Sequence, residues 1–395
     1  MNHYTEGGIN FANIWAILTE FYHGQYAPFN QYLYLILFNL SGGYNPFVFH
    51  LASLLIHLAN SCLVFVVLKK LLLLNGKIEV QKVQYIAFFT ALLFTIHPFN
   101  VESVAWMSAS KILVYAFWYL LATYTFLLYI EKRKIRFYIA TLFLFVFSFL
   151  GKEQAVTFPV WMLLVYWIIN HRLPNKKEWI ETIPFFVLAL FFGIITILSQ
   201  YAFGSGVLSD RPDYPLWQRL VFACYSWFEY LFKILVPVRL SYLYPFPIAV
   251  GQPLPLWLLL YPVIIIILGV SLWKFIKKPP VLLGLLFFTI HIAVALHIIP
   301  LSRFAIVADR YAYISLMGIA FIVAYYVVMG YQYAKSKGMK QIQHLIVALF
   351  TAAILYCGVY AHLRTYVWYD TDTLKREMRE AVERREEWRL QQQQQ

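Results

Sequence analysis

The sequence predicts an all-α, polytopic membrane protein, a bundle of about ten to eleven transmembrane helices. Of its 395 residues, 61% are hydrophobic and only 13% are charged. Soluble domains carry roughly 25% charged residues. This composition therefore excludes a soluble enzyme, a disordered protein and a nucleic-acid-binding protein. The apolar residues suffice for roughly ten spans of about 20 residues each.

Ten apolar runs predict the membrane spans. In chain order they cover residues 47–68, 85–96, 112–130, 137–150, 156–169, 183–202, 256–275, 281–299, 311–328 and 342–360. A further run, 220–236, breaks the alternation of sides, because counting it as a span would place the basic cluster after residue 273 outside. We expect it to be a re-entrant or oblique helix; the alternative is that two of the ten spans are wrongly merged or divided.

Basic residues predict the orientation of the bundle. Five linkers carry dense positive charge and should face the cytoplasm. Their basic residues are Lys69, Lys70, Lys77, Lys82, Lys132, Arg133, Lys134, Arg136, Arg172, Lys176, Lys177, Lys274, Lys277, Lys278, Lys335, Lys337 and Lys340. The alternate loops hold only Lys111, Lys152, Arg211, Arg219, Arg303 and Arg310. The net charge of +13 thus reflects topology and not an acidic partner.

Three regions follow from this orientation. Residues 1–45 are the remainder of a first extracytoplasmic loop, 46–362 the transmembrane domain, and 363–395 a charged extracytoplasmic helix with a disordered glutamine tail. Parity places the first region outside without a preceding span, so we expect an upstream helix. The cysteines Cys62, Cys224 and Cys357 lie in apolar runs without metal-ligand spacing, and no metal or other cofactor is expected.

Polar residues in the outer loops mark a candidate site. An ionisable group at the membrane rim must pair, bind a ligand or become neutral. The predicted site residues are His97, Glu102, Lys111, Lys152, Glu153, Arg303, Asp309, Arg310 and Tyr311. Each loop alone could hold rim charges that pair locally, but all of them fall on the same predicted face.

These residue types fit transfer of a sugar from a lipid phosphate. A carboxylate can act as general base for an acceptor hydroxyl, and Glu102 and Glu153, with His97 nearby, are the candidates. Basic side chains can hold the phosphate as a leaving group. The candidates for that role are Lys111, Lys152, Arg303 and Arg310, with Asp309 and Tyr311 orienting Arg310. Such a donor would enter sideways from the bilayer.

Three motifs carry a family resemblance. The runs HPFNVESVAW (97–106), GKEQA (151–155) and ADRYAY (308–313) occur in this order. With them, the chain resembles the membrane domain of the transmembrane and tetratricopeptide-repeat O-mannosyltransferases and their bacterial relatives. The resemblance implies a GT-C-like fold, a polyprenyl-phosphate-linked sugar (mannose or a similar hexose) as donor, and a protein or glycan acceptor on the extracytoplasmic side. It also implies that no metal is required.

Two family features are not matched in this sequence. The resemblance implies an acidic pair shortly after the first membrane helix, and Asn2-His3-Tyr4 looks like the sequence just downstream of it. No repeat of about 34 residues is present. A bacterial inner membrane is favoured over the endoplasmic reticulum. The alternative functions are a transporter, an O-antigen polymerase or ligase acting on lipid-linked glycans, and a noncatalytic scaffold.

Overall fold

The computed structural model of the chain describes residues 3–204, 213–299 and 305–393. Helices account for 80% of it, and several are long and apolar enough to cross a bilayer. The prediction of an all-α, multi-pass membrane protein is confirmed at this level. Arg303, one of the predicted phosphate-binding residues, lies outside the described residues.

The described α-helices follow one another with short connections. The first ten are α1 (His3–Glu6), α2 (Phe11–Thr19), α3 (Pro28–Ser41), α4 (Pro46–Asn75), α5 (Val80–Ile96), α6 (Val101–Ala105), α7 (Ser110–Lys132), α8 (Ile135–Gly151), α9 (Phe158–Asn170) and α10 (Lys176–Ala202). The rest are α11 (Leu216–Leu235), α12 (Leu256–Ser271), α13 (Trp273–Ile276), α14 (Pro279–Ile292), α15 (Leu316–Ser336), α16 (Lys340–Thr365) and α17 (Thr371–Gln393).

Short 3-10 helices and one small sheet complete the secondary structure. The 3-10 segments are Pro98–Asn100, Met107–Ala109, Glu153–Thr157, Ala293–Ala295, Asp309–Ala312 and Tyr366–Trp368. Strands β1 (Tyr244–Pro245) and β2 (Ala305–Val307) pair antiparallel, with Tyr244 opposite Val307. Because β1 and β2 are about sixty residues apart in sequence, the sheet joins two loops that the helices alone would leave separate.

Local sequence sets the ends of the long helices. The Asn45 side chain accepts a hydrogen bond from the Phe47 amide at the start of α4, and Gly76 ends that helix in the left-handed conformation. At the start of α10, Asn175 and Glu178 form a reciprocal capping box. The boundary between apolar helix and polar linker is therefore specified by side chains.

Length decides which helices can span a bilayer alone. Five pass on length and apolarity: α4, α7 with its preceding turn, α10, α15, and α16 with its following turn. The pair α5 and α6, bent by 50°, gives a sixth if it counts as one span. Helix α8, with 17 residues, reaches only about 25 Å, less than the ~30 Å hydrocarbon core. The count of ten to eleven spans stays a prediction.

Helix α11 corresponds to the irregular run at 220–236, and its orientation in the membrane stays a prediction. It is one unbroken helix of 20 residues. The Gln218 side chain donates to the Gln252 carbonyl, Ser226 to the Ile306 carbonyl, and the Ile234 carbonyl contacts His97. Its residues therefore contact loops of the same end of the bundle from the first turn to the last.

The two sets of linkers collect at opposite ends of the bundle. At one, the basic end, Asn75, His171 and Lys277 line a shared cavity. At the other, the polar end, Lys111 and Arg310 line a second cavity. The separation agrees with the sides that the charge pattern predicts.

The terminal regions are helical and packed on the bundle. Helix α3 is attached to the turn before α7 by a bond from the Tyr34 hydroxyl to the Met107 carbonyl, and to α7 itself by one from Ser110 to the Asn30 side chain at 2.8 Å. At the other end of the chain, α17 continues to Gln393. The disorder predicted for the glutamine tail stays a prediction.

Helices α14 and α15 approach each other through two glycines. A Cβ added to Gly318 would lie 2.4 Å from the Gly284 carbonyl oxygen, whereas one added to Gly330, on the same helix, would make only ordinary contact. Small residues allow such backbone approach between membrane helices. This contact sets the spacing of two core helices.

We predict that Gly318→Ala lowers the stability of the protein by about 1–3 kcal/mol, because the methyl group forces the two backbones apart. The thermal unfolding midpoint in detergent measures the effect, and Gly330→Ala is the matched control. Equal midpoints for the two variants would contradict the close approach.

Candidate functional site

A cavity of about 370 Å³ opens at the polar end of the bundle. It is lined by side chains from the N-terminal region, from α7 and α10, and from four separate loops. Among the predicted site residues, Lys111, Lys152, Glu153, Arg310 and Tyr311 line it. Lys111 and Tyr311, two hundred positions apart in sequence, therefore meet in one recess.

Two lysines bring positive charge into the cavity. The Lys111 ammonium donates a hydrogen bond to the Gln25 side chain. Lys152, whose side chain is only 4% exposed, lies 3.2 Å from a carboxylate oxygen of Glu153. Glu153 is one-quarter exposed and lines the cavity. The cavity thus holds a buried ammonium beside a carboxylate that solvent can reach.

Glu102, which is not part of the cavity lining, fixes the position of Arg310. One Glu102 oxygen accepts from the Arg310 guanidinium, and the other accepts from the Arg310 backbone amide at 2.8 Å. Glu102 is 2% exposed and does not line the cavity. A carboxylate in this position fixes both the backbone and the side chain of Arg310. The geometry favours a positioning role for Glu102 over acid–base chemistry.

The orienting role predicted for Asp309 needs correction. Arg310 pairs with Glu102, while Asp309 is buried toward Tyr244 and Arg364. Burial raises the pKa of the Asp309 carboxyl above its ordinary value, and the nearby Glu102 carboxylate raises it further, although Arg364 acts in the opposite direction. Two carboxyl groups in one buried region oppose each other's ionisation. Asp309 belongs to this buried layer behind the cavity.

Tyr311 contacts both cations of the inner wall. The Lys152 ammonium lies 5.4 Å and the Arg310 guanidinium 4.7 Å from the centre of its ring. The Gln154 side chain donates to the Tyr311 carbonyl at 3.2 Å, which ties the loop after α8 to the loop before α15. These contacts place Tyr311 beside both cations, and its orienting role stays a prediction.

His97 lies in the wall of the bundle and not at the cavity. Its Nε2 atom is 2.9 Å from the Ile234 carbonyl, and its Nδ1 atom accepts from the Phe99 amide. The side chain is 7% exposed. Both ring nitrogens are therefore engaged at the bend between α5 and α6, and the catalytic role proposed for His97 has no geometric support.

An aromatic cluster closes the rim of the cavity on the side of α17. Trp106 lies 5.1 Å from the Arg310 guanidinium and stacks on Trp368 at 5.5 Å, and the Tyr242 ring meets both indoles edge-on. The Glu377 carboxylate of α17 accepts from the Tyr242 amide and from Arg364, each at 3.0 Å. Helix α17 is therefore anchored to the cavity rim.

Several of these residues were not predicted as site residues. Gln25 adjoins the polar Tyr26–Pro28 stretch, so its neighbourhood gave a signal. The sequence around Tyr242 gave no signal of a site, because a single tyrosine in a loop does not indicate one. Arg364 and Glu377 lie on two different helices, α16 and α17. The residue spacing within one helix therefore does not predict their contact.

Neither metal-site geometry nor known relatives give further guidance. Within the described ranges, no three His, Cys, Asp or Glu side chains are grouped as a metal site would need. No family model matches the chain, and no curated protein or solved structure matches it. The family resemblance therefore stays a prediction based on the three motifs.

We predict that Glu102→Gln destabilises the protein by about 1.5–3 kcal/mol, because the Arg310 guanidinium, whose side chain is only 18% exposed, loses its counter-charge. Denaturation in detergent measures the loss. The control is Glu79→Gln, which removes an exposed pair with Lys82 at 2.8 Å and should cost about 1 kcal/mol or less. A loss for Glu102→Gln as small as that of the control would show that the buried pair is not structurally important.

We predict that Glu377→Gln loosens α17. Loss of a hydrogen bond to a charged group costs about 1.5–3 kcal/mol, so trypsin should cleave at Arg376 or Arg379 roughly tenfold faster or more. Glu383→Gln, at an exposed position of the same helix, should leave the cleavage rate unchanged. Equal rates for the two variants would mean that Glu377 is not the anchor.

Proposed function

We propose that the chain belongs to a GT-C-like membrane glycosyltransferase of ten to eleven spans, which transfers a sugar from a polyprenyl-phosphate donor to a protein or glycan acceptor. The supporting observation is one cavity at the polar end that combines Lys111, Lys152 and Arg310 with the reachable carboxylate of Glu153. The motifs that carry the family resemblance supply all four residues except Lys111. The proposed location is the extracytoplasmic face of a membrane, a bacterial inner membrane being favoured.

The charge balance of the cavity favours a phosphodiester. The charge of Arg310 is matched by Glu102 behind it, and Glu153 matches one of the two lysines. Lys111 is therefore the cavity-lining cation that has no carboxylate partner among the described ion pairs. A sugar linked to a lipid through one phosphate carries a single negative charge, whereas a lipid diphosphate carries more. This argues against the lipid-diphosphate substrates of an O-antigen polymerase or ligase.

The proposed chemistry uses residues on the cavity wall. The Glu153 carboxylate accepts the proton of the acceptor hydroxyl, and the hydroxyl oxygen attacks the anomeric carbon of the donor sugar. The bond between that carbon and the phosphate oxygen breaks, and the phosphate keeps the electron pair. Lys111, Lys152 and Arg310 stabilise the phosphate charge as it develops. Glu102 positions Arg310 for this role.

We predict that Lys152→Ala weakens binding of a polyprenyl-phosphate hexose by roughly tenfold to hundredfold, because a charged hydrogen bond to the phosphate is lost. Glu153→Gln should retain donor binding but slow transfer by about 10²-fold or more. The protein in liposomes is supplied with a radiolabelled donor, and bound donor and glycosylated acceptor are measured separately. Lys132→Ala, at the opposite end of α7, is the control.

Three outcomes would contradict the proposal. If Lys152→Ala bound the donor as tightly as the unaltered protein, Lys152 would not be part of a phosphate-binding site. Preference for a lipid-diphosphate glycan would favour a polymerase or ligase. Accumulation of a labelled solute in the liposomes without a glycosylated product would favour a transporter.

A further inference from the structure

A second cavity lies at the basic end of the bundle, opposite the proposed active site. Its volume is about 360 Å³, and it is formed where α4, α9, α14 and α15 come together. The outer part carries Lys77, Lys277 and His171. The deeper wall is apolar and includes Leu283 and Phe321. One recess therefore combines a cationic opening with a hydrocarbon-like interior.

The positive charge of this cavity is not cancelled by the residues around it. No Asp or Glu is among its described lining residues. Lys277 lies over the exposed Trp273 ring at 4.4 Å, a contact that leaves its charge in place. The nearest acidic residue in sequence to Lys77 is Glu79, which pairs with Lys82 at 2.8 Å.

Two helix ends at this cavity do not offset the lysines. The carboxyl ends of α4 and α9 bring backbone carbonyls here, and such ends carry partial negative charge. The Asn75 side chain donates to the Ile168 carbonyl at 2.8 Å, and the His171 ring lies within hydrogen-bonding distance of the Asn75 carbonyl. With these carbonyls engaged, the lysine ammonium groups are the strongest charges facing the cavity.

We infer that this cavity binds an anionic phospholipid, with its phosphate between Lys77 and Lys277 and an acyl chain along Leu283 and Phe321. Basic pockets between transmembrane helices on the cytoplasmic side are suited to anionic headgroups, and the charge pattern places this end in the cytoplasm. A free phosphate would gain nothing from the apolar wall. The site is independent of the proposed function, because none of its lining residues faces the cavity at the polar end.

The experiment compares lipid retention by the full chain in detergent, with phosphatidylglycerol or phosphatidylcholine added and bound lipid counted by native mass spectrometry. We expect phosphatidylglycerol to be retained preferentially. The double variant Lys77→Ala/Lys277→Ala should weaken its binding roughly 25-fold, the product of about fivefold for each basic side chain. The control is Lys337→Ala/Lys340→Ala, which removes the same charge from exposed positions outside the cavity and should bind like the unaltered protein.

Each other result would overturn the inference. Equal retention of the two lipids would mean that the cavity does not distinguish the charges of their headgroups. Equal losses of phosphatidylglycerol binding in the two double variants would mean that general surface charge, and not this cavity, causes the binding. Displacement of the lipid by inorganic phosphate at comparable concentration would identify a phosphate site. A thermal midpoint is recorded for each variant, and Lys77→Arg/Lys277→Arg, which keeps the charge, should retain binding even if the alanine variant unfolds.

Discussion

The buried pair of Glu102 and Arg310 connects the fold to the candidate site. Glu102 belongs to the bent segment after α5, and Arg310 to the loop before α15, so their contact closes a long stretch of chain. The carboxylate has a partner on both oxygens, one of them a backbone amide. Removal of either partner would leave a charge inside the protein without compensation. The position of Arg310, and through it that of Tyr311, depends on this contact.

Helix packing and loop chemistry have separate roles in this molecule. The glycine contact between α14 and α15 sets a backbone distance in the core, whereas the loops at the polar end are joined by ion pairs, hydrogen bonds and the short sheet of β1 and β2. Helix α11 lies along that end and contacts β2 through Ser226. The cavity is thus built on rigid elements but lined mostly by residues of their connections, which is the common arrangement for functional sites.

The sequence predicted the parts of the structure that follow from local pattern and charge. Apolar runs identified the long helices, and the distribution of lysine and arginine separated the two ends of the bundle, so Lys111, Lys152 and Arg310 were expected on one face. Contacts between residues far apart in sequence could not be predicted from local pattern and charge. Asp309 is adjacent to Arg310 in sequence and was the obvious partner, yet Glu102 takes that place. His97 was expected at the site and instead fills a helix bend.

The depth at which Lys152 lies has a consequence for how the cavity responds to its surroundings. Mobile ions screen charges that face water, but they screen recessed charges much less. An anion beside Lys152, with its side chain 4% exposed, would interact largely through protein and not through electrolyte. The affinity of the cavity for such an anion should therefore change little with ionic strength. Added salt should instead weaken the interactions of the exposed charges of α17.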